Sequence, residues 1–108
     1  MATPDGDLYG RAVRSLDQGR GAEATRLLVR ALKRPAIPRD EQIQIRCALA
    51  DAWLLQDDLR QATEALGRPP EAREHLNPAR LSDLWRMHGR LAAARGEPSR
   101  GIAFLSKA

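Results

Sequence analysis

The sequence predicts an all-α protein, a single domain over residues 1–108 built from about three antiparallel helix hairpins. Three observations carry that expectation. Ala, Leu, Arg, Glu and Gln dominate while β-branched residues are scarce, a composition that favours helix almost everywhere. Breakers rich in Gly, Pro and Asp cut the chain into six apolar-periodic segments, and no alternating run bounded by hairpin turns competes with them. Lastly, segments 38 and 39 residues apart resemble one another, as set out below.

Each segment has its own start and stop. Asp5-Gly6-Asp7 is suited to cap a first helix from about Leu8 to Gln18, ended by Gly19 and Gly21. The second runs from about Ala22 to Lys33 and places Leu27, Leu28, Ala31 and Leu32 on one face. Pro35 and Pro38 stop it, because proline lacks the amide that continues the hydrogen-bond ladder. Asp40 opens a third helix to about Leu55, with apolar spacing at Ile45, Ala48, Leu49, Ala52 and Trp53. Gln56-Asp57-Asp58 is a tight turn in which either aspartate suits the N-cap of a short fourth helix to Leu66. Gly67-Arg68-Pro69-Pro70 ends that helix, and residues 67–76 form an irregular insert with one turn expected at Glu71–His75. Asn77-Pro78 starts a fifth helix to about Arg95, since proline suits the first helical position. Glu97-Pro98-Ser99 begins a sixth, expected to reach the last residue. The hairpins therefore cover about 7–34, 40–67 and 77–108.

Composition narrows the function. No apolar run approaches the ~20 residues that span a bilayer, and MATPDGDLYG lacks the basic-then-apolar order of a secretory signal. Cys47 is alone, so no intrachain disulfide is possible; a cytoplasmic setting is the simplest reading. The net charge of +4 invites a nucleic-acid partner. However, sixteen of the eighteen basic residues are Arg, spread along the chain among fourteen acids rather than gathered into a block. A solvated helical surface explains that pattern better than a phosphate-binding stripe.

Aligned in register, AEATRLLVRAL (22–32), RQATEALG (60–67) and SRGIAFLSKA (99–108) each open a second helix after a short polar turn. A small residue recurs at Ala24, Ala62 and Gly101, and four residues later a large apolar one at Leu28, Leu66 and Leu105. Five residues before each small residue stand Gly19, Asp57 and Gly96. The third unit adds Trp85 and Gly89, the second Leu49-Ala50 and Trp53, the first Leu8, Ala12 and Ala31. This pattern resembles the tetratricopeptide repeat, a helical hairpin of about 34 residues. The units here are longer, none holds every consensus position, and the 67–76 insert lengthens one connection. The resemblance implies a right-handed superhelical array, an α-solenoid. Small side chains at Ala12, Ala24, Ala50, Ala62, Gly89 and Gly101 would let paired helices approach. Leu28, Trp53, Leu66, Trp85 and Leu105 would fill the space between hairpins.

The resemblance also implies a groove, lined by the first helix of each hairpin, that takes up a peptide. Its pattern falls on Tyr9 and Val13, then Cys47, Asp51 and Leu54, then Arg86, Arg90 and Ala93. Arg86 and Arg90 would share a face and suit bidentate grip of a carboxylate or phosphate, although Asp83 stands one turn earlier to meet some of that charge. The family's terminal-carboxylate clamp needs Lys and Asn at positions that lack them here. His88 has no second ligand at helical spacing and reads as a packing histidine beside Gly89. Cys47 reads as a small apolar neighbour, Asp57-Asp58 as a cap, and Gly19-Arg20-Gly21 as too short to cradle a phosphate. No residue constellation points to an enzyme, a metal or a cofactor. The expected function is a protein-interaction scaffold binding a protein or peptide, with a basic nucleic-acid-binding or regulatory domain as the alternative. Ile102, Phe104 and Leu105 lie on the last helix with no polar helix following. They suggest the N-terminal part of a longer repeat protein, or self-association as a homo-oligomer through that face.

Overall fold

The computed structural model describes residues 8–71 and 75–107. Within them lie six α-helices and no strand: α1 (Leu8–Asp17), α2 (Gly21–Leu32), α3 (Arg39–Leu55), α4 (Leu59–Leu66), α5 (Pro78–Ala94) and α6 (Pro98–Leu105). None of these helices is long and apolar enough to cross a membrane. The expected cap at Asp5–Asp7, the centre of the expected 71–75 turn and the final residue lie outside the described residues.

The helix ends follow from local chemistry. Asn77 Oδ1 accepts the Ala79 amide at 2.8 Å with Pro78 at the first helical position, and Asp58 Oδ1 accepts the Gln61 amide at 3.1 Å. Both satisfy amides that a helix start leaves without partners. Three of the sequence boundaries need correcting. Gly21 belongs to α2 rather than to the preceding break, and it is buried because a Cβ there would lie 2.9 Å from the Ala52 carbonyl oxygen. Pro38, not Asp40, is the N-cap of α3, and it makes no side-chain cap bond. α6 ends at Leu105, with Ser106 and Lys107 in a turn.

One turn occurs three times. At Gly19, Asp57 and Gly96 the backbone takes a positive φ of 74°, 57° and 81°. The next residue's amide then reaches back five residues: Arg20 to Ser15 O (2.8 Å), Asp58 to Trp53 O (3.0 Å) and Glu97 to Ala92 O (2.9 Å). A second bond, spanning three residues, joins the Gly19 amide to Leu16 O, Asp57 to Leu54 O and Gly96 to Ala93 O, each at 3.0 Å. This is a Schellman ending, which ties up the last carbonyls of α1, α3 and α5 and reverses the chain within three residues.

Those reversals pack α1 on α2, α3 on α4 and α5 on α6. α3 also touches α1, α2 and α5, and α4 touches α5. A thickness of 19 Å against a length of 45 Å corresponds to two helical layers. Two apolar cores fill them. Leu8, Ala12, Ala24, Leu27, Leu28 and Ala31 meet Ile45, Leu49 and Ala52 of α3. Ile43, Cys47 and Ala50, from another side of α3, meet Ala62, Leu66, Leu84, Met87 and Leu91. Trp53 packs against both cores. α3 thus buries two faces, which is why it has no single apolar stripe. Ala12, Ala24, Ala50 and Ala62 are fully buried, as close helix approach requires. Arg46 closes α4 by donating from Nε to Ala65 O (3.0 Å) and from NH2 to Leu66 O (2.7 Å).

The third pair is held differently. A Cβ on Gly101 would lie 2.9 Å from the Gly89 carbonyl oxygen, so the two backbones are in direct contact. Trp85 stacks on Phe104 with centroids 5.7 Å apart, within this pair rather than between pairs as the sequence suggested. Leu105, also expected to fill space between pairs, lies over Gly89 and is 47% exposed.

Candidate functional site

α1, α3 and α5 present one face to an open groove of about 280 Å³. α1 contributes Tyr9, Val13, Leu16 and Asp17; α3 contributes Gln44, Cys47, Ala48 and Asp51; α5 contributes Asp83, Arg86, Met87 and Arg90. The α3 and α5 sets correspond residue for residue at a spacing of 39. Such matching needs two helices with the same rotation about their axes. Of the eight groove residues expected from the sequence, Tyr9, Val13, Cys47, Asp51, Arg86 and Arg90 are brought together here. Leu54 is not: it is half-buried against the core shared by α3, α4 and α5. Ala93 is exposed and outside the groove lining. Leu16, Asp17, Gln44, Ala48 and Met87 were not anticipated in the lining, although each lies at helical spacing from one that was.

The electrostatics of the groove are largely internal. Arg90 NH1 lies 2.9 Å from Asp51 Oδ1, bridging α5 to α3, and also donates to Met87 Sδ at 3.6 Å. Asp83 stands between Arg86 (3.7 Å) and Arg80 (3.3 Å). Arg86 and Arg90 therefore share the groove, as expected, but each faces a carboxylate. With Asp17 the lining holds three acids against two bases. Burial raises the Tyr9 phenol above its ordinary pKa, partly offset by a hydrogen bond with the Gln44 side chain. Burial also pushes the Cys47 thiol up to about 12, with Asp83 adding to the effect. Cys47 is therefore a protonated, apolar part of the groove floor at neutral pH, because the thiolate is the reactive form.

The remaining candidates lie elsewhere. Ile102 is 65% exposed and Leu105 is partly so, whereas Phe104 is turned inward against Trp85 and His88. His88 is buried, with burial holding its imidazole below the ordinary pKa. Asp57 supplies the positive-φ turn and Asp58 the cap, so both acids are used structurally. Compared with known protein families, curated proteins and solved structures, the chain matches none.

Proposed function

We propose that this chain is a tetratricopeptide-type scaffold, three stacked hairpins forming a right-handed superhelix, whose α1–α3–α5 groove holds a peptide segment of a protein partner. The observation that carries the reading is the groove itself: equivalent positions on the first helix of each pair face one channel. The threefold Schellman turn and the side-by-side contacts of α1 with α3 and of α3 with α5 support a repeating array. A floor of Val13, Leu16, Cys47, Ala48 and Met87 beneath Asp and Arg side chains suits an extended segment of mixed polar and apolar residues. Nucleic acid is the weaker reading, since the groove matches its two arginines with three carboxylates. On the same reading, Ile102 and Leu105 of α6 would be the surface for a further helix pair or a second copy.

The test is to select peptides by display against the immobilised chain and to map their binding by amide shifts. The expected shifts cluster on α1, α3 and α5, and Val13→Arg abolishes binding while leaving helix content intact. Shifts confined to the outer faces of α2 and α4, with binding indifferent to Val13→Arg, would remove the groove from consideration.

A further inference from the structure

His88 holds a polar atom that the fold leaves unused. The residue is 4% exposed, its imidazole has a hydrogen bond to the Arg68 backbone, and Nε2 has no partner. A buried acceptor without a partner is unfavourable and uncommon in folded proteins. His88 also lines a cavity of about 290 Å³ bounded by Arg68, Thr63, Arg95, Arg100 and Phe104. Three of those residues are cations and none is an acid. A carboxylate outside the lining, Glu97, is divided between two of them, 3.6 Å from Arg95 and 3.3 Å from Arg100. Arg100 also rests over the Phe104 ring at 5.4 Å, and Arg95 donates to Thr63 Oγ1 at 3.4 Å. The cavity is therefore a positively charged recess with one buried acceptor in its wall.

A ligand that fits must offer negative oxygens to the arginines and an O–H to Nε2, because the imidazole hydrogen is used toward Arg68. Inorganic phosphate does both, because it keeps one O–H throughout the neutral range, and a monoester, whose second pKa is about 6, keeps one on part of its molecules. Sulfate and carboxylates carry no proton there. We propose that this cavity binds a phosphate group, free or as a small monoester, held by Arg95 and Arg100 and sharing its proton with His88 Nε2. The groups facing the imidazole are Arg46 from α3, Arg68 from the segment after α4, and Arg95, Glu97 and Arg100 around the α5–α6 turn. The cations among them oppose protonation of His88, and a bound phosphate reverses that balance. The volume is roughly ten times a water molecule's ~30 Å³ share of the liquid, so filling by water alone is the competing explanation.

The experiment follows the imidazole nitrogen resonances of the intact chain by NMR during titration with inorganic phosphate near pH 7. His75, exposed and outside this cavity, is the internal reference. We expect a saturable shift at His88 alone and a rise in its apparent pKa of about one unit. The double variant Arg95→Gln, Arg100→Gln should weaken binding about tenfold or more with helix content unchanged, because both residues are exposed. Phenyl phosphate binding more tightly than inorganic phosphate would identify a monoester as the ligand, and the reverse would identify the free ion. The proposal is overturned if His88 does not respond, if His75 moves equally, if the double variant binds undiminished, or if sulfate matches phosphate.

Discussion

Gly101→Ala sets two physical effects against each other, and the structure decides between them. In a helix interior the change from Gly to Ala is worth up to ~1 kcal/mol of added stability through backbone entropy. At Gly101 the new Cβ would lie 2.9 Å from the Gly89 carbonyl oxygen, where ordinary contact begins at 3.4 Å. α5 and α6 must then part by about 0.5 Å, and the atom in the way is backbone, which cannot rotate aside. Overpacking of this kind costs ~1–3 kcal/mol. The loss therefore exceeds the gain, giving a net destabilisation of about 1 kcal/mol, or a melting temperature lower by ~4–8 °C for a domain near this size. Thermal melts followed by far-UV circular dichroism measure it, with Ser99→Ala on the exposed side of α6 as a control expected within about 0.5 kcal/mol of the parent. Gly89→Ala meets the same interface, 3.0 Å from the Gly101 carbonyl oxygen. The double variant should cost less than the two singles together, since helices already parted accommodate the second methyl. A Gly101→Ala protein that melts higher than the parent would refute the direct backbone contact.

Three further outcomes follow from the same geometry. Asp57→Gly should raise stability by about 0.5–1 kcal/mol in urea titrations, because Asp57 alone of the three Schellman positions is not glycine and takes φ 57°; a lower midpoint would mean that its side chain matters more than its backbone. Ala62→Arg should abolish the cooperative melt of the α3–α4 pair, since it adds bulk and charge at a fully buried site; an unchanged melting temperature would contradict the packing described. Burial keeps the folded-state pKa of His88 below its ordinary value of 6.5, so the unfolded chain takes up the proton first. The stability linked to His88 is therefore complete above about pH 6.5 and is lost as pH falls below it, with urea midpoints at about pH 7.5 and 5.5 dropping further for the parent than for His88→Gln. Equal drops would remove His88 as the cause.

What was legible in the sequence was the chemistry acting within one turn of a residue. Asn77-Pro78 and Asp58 mark helix starts because their side chains cap amides two or three residues away. Gly19 and Gly96 mark reversals because positive φ favours glycine. Less legible was whatever depends on neighbours far along the chain. Gly21 looked like a breaker, and only the Ala52 carbonyl against it explains a glycine inside α2. Ile43, Cys47 and Ala50 were not recognised as a second apolar face, because a helix covered on two sides shows no single stripe. For the groove, six of eight residues were found since helical spacing fixes direction once one position is known. Leu54 failed because the presence of α4 on that side of α3 is a tertiary fact. The recess around His88 joins residues from Thr63 to Phe104 and left no local signal.

The ion pair across the groove bears on what the groove is able to hold. Arg90 and Asp51 occupy equivalent positions on adjacent first helices, and their side chains are 47% and 33% exposed. A pair so open to solvent contributes only ~0–1 kcal/mol, because screening weakens the attraction and fixing two side chains costs entropy. It does not lock α3 to α5; the buried core of Ile43, Cys47, Met87 and Leu91 does that. Arg90 is consequently free to exchange Asp51 for a carboxylate on an incoming peptide at little cost, and Asp51 to exchange Arg90 for a cation. The net gain from either exchange is equally small. If the groove holds a peptide as proposed, affinity would come from apolar side chains reaching the Val13–Cys47–Met87 floor, with the charged rim setting register. A peptide stripped of its apolar residues should lose far more binding than one stripped of its charges.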